Sequence, residues 1–261
     1  MATPERSVVV TGASSGIGQG IAQGLAMAGW SVAGLDLNEA TSRPWEGMEN
    51  YVHILGDVRT RSSHVDARDA AESLAPLRAW VNCAAIADTS SIHLANADHL
   101  NKVIGVNLDG YFWGCSVAVE GMLQHGGSIV NVSSGQAIRG RDGYAAYAAS
   151  KGASIALTTQ VAAEYADRQI RCNVILPGVI STPLAERIAA SATDETALRR
   201  SWDVLSPIGR LGTPEDVAHL VEFLVGERST FITGAQIAID GGQFVLPPDR
   251  AIFRESNVNS T

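Results

Sequence analysis

Three cysteines in 261 residues, at 83, 115 and 172, are odd in number and far apart, so the sequence carries no disulfide framework. Histidine is scarce too: the six present show no metal-ligand spacing, and no metal is expected. No uninterrupted apolar stretch is long enough to span a bilayer, and the opening "MATPERSVVVTG" lacks the long apolar core of a signal peptide. A cytoplasmic protein without membrane contact is the expectation. Nor is there an excess of positive charge. Nineteen Lys and Arg stand against 27 Asp and Glu, a net charge of −8 that speaks against nonspecific binding to nucleic acid or anionic membranes. Charged residues make up 18% and hydrophobic ones 46%, the balance of a packed globule rather than a disordered chain. No linker, repeat or low-complexity segment divides it, so residues 1–261 read as one domain.

What the chain does have is alternation. Short apolar runs at 7–10, 31–35, 51–55, 79–84, 128–134, 170–176 and 236–239 predict strands. Several are nearly continuous in Val, Ile and Ala, as parallel strands covered on both faces require. Helical patterns lie between them. "GIGQGIAQGLAMAG" places Ile17, Ile21, Leu25 and Ala28 on one face and stops at Gly29. "TPEDVAHLVEFLVG" opens with Thr213 as cap and Pro214 at the first helical position, and ends at Gly226. Strand alternating with helix predicts an α/β fold: a Rossmann-like, doubly wound parallel sheet of about seven strands with helices on both faces.

The first strand runs into "TGASSGIG", Thr11 to Gly18, and then into a helix. Glycines at 12, 16 and 18 permit a tight turn, a close approach of backbone to a pyrophosphate, and close packing of helix on sheet. The helix N-terminus then offers N–H groups to phosphate. The spacing is G-x-x-x-G-x-G rather than G-x-G-x-x-G. The second strand ends at Asp36, whose carboxylate can accept hydrogen bonds from ribose hydroxyls and would repel a 2′-phosphate. No Arg or Lys stands in the glycine loop or just after Asp36, which predicts NAD rather than NADP. Further on, "DGYAAYAASKGASIAL" holds Tyr147 four residues before Lys151, on one helix face, with Tyr144 too far along the axis to pair with that lysine. A phenol near a fixed ammonium titrates below its usual value.

These features occur in a specific order with Asp57-Val58 after the third strand, "NCAA" at 82–85, Asn107 in "VNLDG" and "SS" at 133–134. "YAASK" at 147–151, "PGVIST" at 177–182, "GRLGTPEDVA" at 209–218 and "IDGG" at 239–242 follow. Over nearly its whole length the chain resembles the short-chain dehydrogenase/reductase family. The resemblance implies an oxidoreductase that interconverts a small secondary alcohol (polyol, sugar, hydroxy acid or cyclic alcohol) and its ketone by hydride transfer to NAD. It implies a catalytic set of Asn107, Ser134, Tyr147 and Lys151. Tyr147 would be the general acid/base, its pKa lowered by Lys151, which also holds the ribose. Ser134 would steady the reacting oxygen, and Asn107 would help hold a water near the lysine. Ser134 is chosen over Ser133 because it lies thirteen residues before Tyr147, the spacing of relatives. Neighbouring strand residues also point oppositely, leaving Ser133 to pack or hydrogen-bond within the sheet.

By the same resemblance the phosphates fall to Gly12, Ser14, Ser15, Gly16, Ile17 and Gly18. The adenosine end falls to Asp36, Leu37, Asp57, Val58 and the backbone of Asn82, Cys83 and Ala84. The nicotinamide end falls to Pro177, Val179, Ile180 and Thr182, with Tyr147 and Lys151. The family's usual Asn-Asn-Ala-Gly is here Asn82-Cys83-Ala84-Ala85, and the added methyl of Ala85 asks for a local shift. Gln136, Tyr144 and Leu184 are candidates for the substrate pocket. Two readings of Tyr144, pocket wall or packing aromatic, stay open, as do two of Arg139, anion ligand or solvated charge. Residues 181–209 are expected to form a lid, with Leu184, Ile188 and Ala189 as an apolar stripe over the cofactor. A homotetramer is implied, and the helix around "YFWGCSVAVEGM" is apolar on more than one face, as burial against sheet and neighbour requires. The alternatives are a 3-oxoacyl-carrier-protein reductase, which Asp36 and the acidic charge count against, and a non-catalytic NAD-binding sensor.

Overall fold

In a computed structural model that describes residues 6–40, 42 and 45–245, seven strands form one wholly parallel sheet. They are β1 (Ser7–Thr11), β2 (Ser31–Asp36), β3 (Tyr51–Leu55), β4 (Leu77–Asn82), β5 (Gly127–Val132), β6 (Ile170–Pro177) and β7 (Gln236–Ile239), in the order β3-β2-β1-β4-β5-β6-β7. The order reverses at β1 and β4, and such a switch point opens a crevice beyond the carboxyl ends of the strands. Alternation along β1 sorts the core: Val8 and Val10 face one layer, Val9 the other.

On the first face lie α1 (Gly16–Met27) and α8 (Pro214–Val225). They cross closely because two glycines leave room, Gly20 against Pro214 and Gly24 against Ala218. Ile21, Leu25, Val217 and Leu224 fill the space between these helices and the sheet. The caps of α8 are those expected. Thr213 Oγ1 accepts from the Asp216 N–H at 3.2 Å, the Asp216 carboxylate accepts from the Thr213 N–H at 2.8 Å, and Pro214 opens the helix. On the second face lie α2 (Arg61–Leu74), α4 (Gly110–Met122) and α5 (Ala145–Tyr165), packed on Val9, Trp80 and Ile129. The shorter α3 (Ala97–Ile104) runs into α4 through a single wide turn, Gly105–Asp109, with π-helical bonding. No sequence pattern announced that turn. The pair α6 (Pro183–Ala190) and α7 (Glu195–Leu205) lies beyond β6.

The strand boundaries differ from expectation where the cleft begins. β4 stops at Asn82 because the N–H groups of Cys83 and Ala84 bond to Thr11 Oγ1, at 3.0 and 3.1 Å, instead of to a neighbouring strand. β5 stops at Val132, leaving Ser133 and Ser134 beyond the sheet proper. Among the described residues no helix is long and apolar enough to cross a membrane.

Candidate active site

A cleft of about 620 Å³ runs across the carboxyl ends of β1, β2, β4 and β5. Its floor is the glycine loop. Gly12 has φ +73°, and a Cβ there would lie 2.8 Å from Ala84 Cα; a Cβ on Gly18 would run into the Gly12 carbonyl. Backbone from two strands therefore meets at a place only glycine allows. Ser15, Gly16, Ile17, Leu37, Val58, Cys83 and Ala84 line the cleft, and so does Ala85. Asp36 lies at one end, its two oxygens accepting from the N–H groups of Ser14 and Asn38, each at 3.0 Å. Ser14 thus supports the cleft from behind. Asp57 is locked by Arg59, whose Nε and Nη2 reach its Oδ2 at 2.9 and 2.6 Å. Those hydrogen bonds hold the Asp57 carboxyl below its usual range. Peptide N–H groups, an elongated cleft and a terminal carboxylate fit a dinucleotide.

At the other end lie the first turns of α5. Lys151 is 1% exposed, and its Nζ donates to Tyr111 Oη and to the Val132 carbonyl, both at 2.8 Å. It lies 5.8 Å from the centre of the Tyr147 ring. Burial pushes the ammonium down to about 8. The same burial pushes the Tyr147 phenol up to about 12, against the opposing effect of a hydrogen bond with Ser134. The lowered phenol expected from sequence is therefore not a property of the chain by itself. Desolvation outweighs a cation whose hydrogen bonds go elsewhere. Tyr111, which receives one of those bonds, was not anticipated; its spacing gave no sign of it.

The two serines diverge. Ser134 caps the short turn Gly135–Ala137, accepting from the Gln136 N–H at 3.2 Å, and bonds the Tyr147 hydroxyl. Ser133 Oγ donates at 2.8 Å to the Lys151 carbonyl, tying the end of β5 to α5, while its N–H donates to the Ile175 carbonyl of β6 at 2.8 Å.

Asn107 is fully buried in the π-helical turn. Its Oδ1 accepts from the Ile86 N–H at 2.9 Å, and its Nδ2 donates to the Ile86 carbonyl at 3.0 Å and to Ser150 Oγ at 3.1 Å. The carboxamide fixes the loop after β4. Asn107→Leu is expected to lose about 1–3 kcal/mol for each Ile86 group left unpaired. Urea unfolding of the chain without cofactor measures this; an unchanged midpoint removes the role.

The Asn82 side chain serves the core. It is fully buried, accepts from Trp80 Nε1 at 2.9 Å and donates to Asn131 Oδ1 at 2.8 Å, while Asn131 donates to Thr158 Oγ1 at 2.9 Å. Its side chain points into the core and joins β4 to β5 and α5, leaving Cys83 and Ala84 to face the cleft. Burial pushes the Cys83 thiol up to about 12, so it stays neutral. All three cysteines are free.

Thr182 caps α6, its Oγ1 accepting from the Ala185 N–H at 3.3 Å. Beyond Pro177, the end of β6, Val179 and Ile180 line a separate cavity of about 210 Å³ under α7, not the large cleft. The predicted apolar stripe splits. Leu184 lines the cleft, whereas Ile188 and Ala189 pack with Trp202 of α7, because α6 needs that face for its own small core. Tyr144, 9% exposed, meets Tyr147 edge to face with ring centres 5.9 Å apart. The Gln136 amide oxygen is buried without a hydrogen-bond partner among the described residues. Arg139 donates to the carbonyls of Gln243 and Phe244, at 3.0 and 2.8 Å, and lies over the Phe244 ring. It holds Gln243 and Phe244 against the turn that Ser134 opens.

Residues 12–243 match the family described as enoyl-(acyl carrier protein) reductase. The chain is 36% identical over 248 residues to 2-(S)-hydroxypropyl-CoM dehydrogenase 3 of Xanthobacter autotrophicus, covering 92% of this chain and 96% of that protein. It is 35% identical over 260 residues to the (3R)-3-hydroxyacyl-CoA dehydrogenase of Rattus norvegicus, covering 91% and 95%. The ligand-free structure of the aldohexose dehydrogenase of Thermoplasma acidophilum superimposes with a TM-score of 0.85 at 32% identity, over 94% of this chain and 96% of that one. The chain belongs to the short-chain dehydrogenase/reductase family. It is an oxidoreductase acting on CH–OH groups, interconverting alcohols and ketones, and the dehydrogenases of this family use nicotinamide cofactors.

Proposed function

We propose that this chain is an NAD-dependent dehydrogenase of a small secondary alcohol, with Tyr147 as its general acid/base. The observation that carries the reading is one continuous cleft with Asp36 at one end and the half-buried Tyr147 and buried Lys151 at the other. When bound, the nicotinamide accepts or donates the hydride. The chain's own residues manage the proton and the oxygen. Tyr147 Oη takes the hydroxyl proton as the carbonyl forms, and returns it in reduction. Ser134 Oγ hydrogen-bonds the reacting oxygen and steadies its developing charge. Bringing the phenol down from about 12 toward the working pH takes about 1.4 kcal/mol of preference for the phenolate per tenfold. Lys151 supplies part of this as its ammonium turns from Tyr111 toward the phenolate oxygen.

Around that centre the single domain carries a lid at 181–209. Arg199 of α7 pairs with Glu186 at 2.6 Å and Glu195 at 2.8 Å, so α6 and α7 close as one piece. Phe112 and Leu100, 52% and 45% exposed on the α3–α4 rod, suit burial against a second copy in a homotetramer. Tyr144 and Gln136 give the pocket beside Tyr147 a polar wall suited to a small hydroxylated or cyclic substrate. An initial-rate screen with NAD over polyols, sugars, hydroxy acids, cyclic alcohols and 3-hydroxyacyl thioesters tests the class. Turnover is expected on the first four groups; activity confined to long-chain thioesters would remove it.

A further inference from the structure

We infer that Arg187, on the lid helix α6, is the cation that takes the diphosphate of the bound dinucleotide, an inference that rests on the cofactor reading above. Six charged side chains line the cleft: Asp36, Asp57, Asp88, Lys102, Lys151 and Arg187. Five are already engaged. Asp36 accepts two backbone N–H groups, Asp57 is held by Arg59, and Asp88 pairs with Lys102 at 3.0 Å. Lys151 is buried on Tyr111 and Val132. Only the Arg187 guanidinium has no partner among the described residues.

Its position explains why a cation there has work to do. Pro183, Leu184 and Arg187 fall on one face of α6, and all three line the cleft. The first turn of that helix abuts the glycine loop, where a Cβ on Gly16 would lie 3.4 Å from the Thr182 γ-methyl. Across the gap, α1 begins at Gly16 with no side-chain cap from Ser15 and no acidic residue in its first turn, so its leading N–H groups are unclaimed by side chains at the cleft. A helix N-terminus supplies about half a positive charge, less than a diphosphate carries. The glycine loop has no Lys or Arg of its own. A guanidinium fork matches phosphate oxygens two at a time, and α6 delivers one from the opposite wall.

Calorimetric titration of the full chain with NAD, ADP-ribose and adenosine tests this. Arg187→Ala is expected to weaken NAD and ADP-ribose by about tenfold, the size of one lost charge-assisted contact, and to leave adenosine unchanged. Arg187→Lys should recover part of the loss. Equal affinities in Arg187→Ala overturn the assignment. So does a variant whose dinucleotide affinity holds while the KM of the alcohol rises, since the arginine would then serve an anionic group on the substrate. If the unaltered chain binds only NADP, the coenzyme reading falls, and the same comparison made with NADP still decides Arg187.

Discussion

Tyr147→Phe is expected to lower turnover by a factor of about 10² or more while NAD binds as before. The substitution removes one oxygen and keeps the ring, so the edge-to-face contact with Tyr144 survives and α5 has no reason to shift. What disappears is the proton acceptor and the partner of the Ser134 hydroxyl. Steady-state rates with the best alcohol from the screen, together with NAD titration, separate chemistry from binding. Tyr144→Phe is the control: its ring meets that of Tyr147 edge to face but takes no part in the proposed proton transfer, so the Michaelis constant should move more than kcat. Near-normal turnover in Tyr147→Phe would overturn the assignment.

Coenzyme choice carries the second large effect. A 2′-phosphate brought to about 4 Å from the Asp36 carboxylate meets about 4 kcal/mol of repulsion for each charge pair at an intermediate dielectric. Solvent screening reduces this, and a preference for NAD over NADP on the order of 10² in kcat/KM is expected. Asp36→Ala should narrow the ratio, partly by admitting NADP and partly by weakening NAD, because the Ser14 and Asn38 N–H groups lose their acceptor. Asp36→Asn isolates the charge, since an amide oxygen can still receive one of those bonds. Equal or better efficiency with NADP in the unaltered chain would sink the reading.

The fold was legible because its signals are local and periodic. Ser7–Thr11 and Gln236–Ile239 are runs of apolar residues, and the Thr213-Pro214 start of α8 is a capping pattern that needs no tertiary knowledge. Tyr147 and Lys151 share a helix face by spacing alone. What escaped prediction depends on contacts between distant segments. That Trp80 and Asn131 claim the Asn82 amide depends on contacts across the sheet that its motif does not encode. The Asn107 bond to Ile86 joins segments 21 residues apart through the π-helical turn. The direction of the Tyr147 shift depends on burial, which no spacing encodes. Arg139 and Arg187 are alike in sequence; only the fold sends one to Gln243 and Phe244 and the other into the cleft.

The clamp on Gln243 and Phe244 has a further consequence, for how this protein can change over evolutionary time. The Phe244 ring occupies the space a side chain at Gly135 would need, directly beside the turn that Ser134 caps. A relative can carry alanine at 135 only if the ring at 244 has been given up or moved, and Arg139 then loses the surface on which it lies. Substitution histories at 135, 139 and 244 are thereby joined. Drift at Phe244 is heritable as a change in the surroundings of the serine at the active centre.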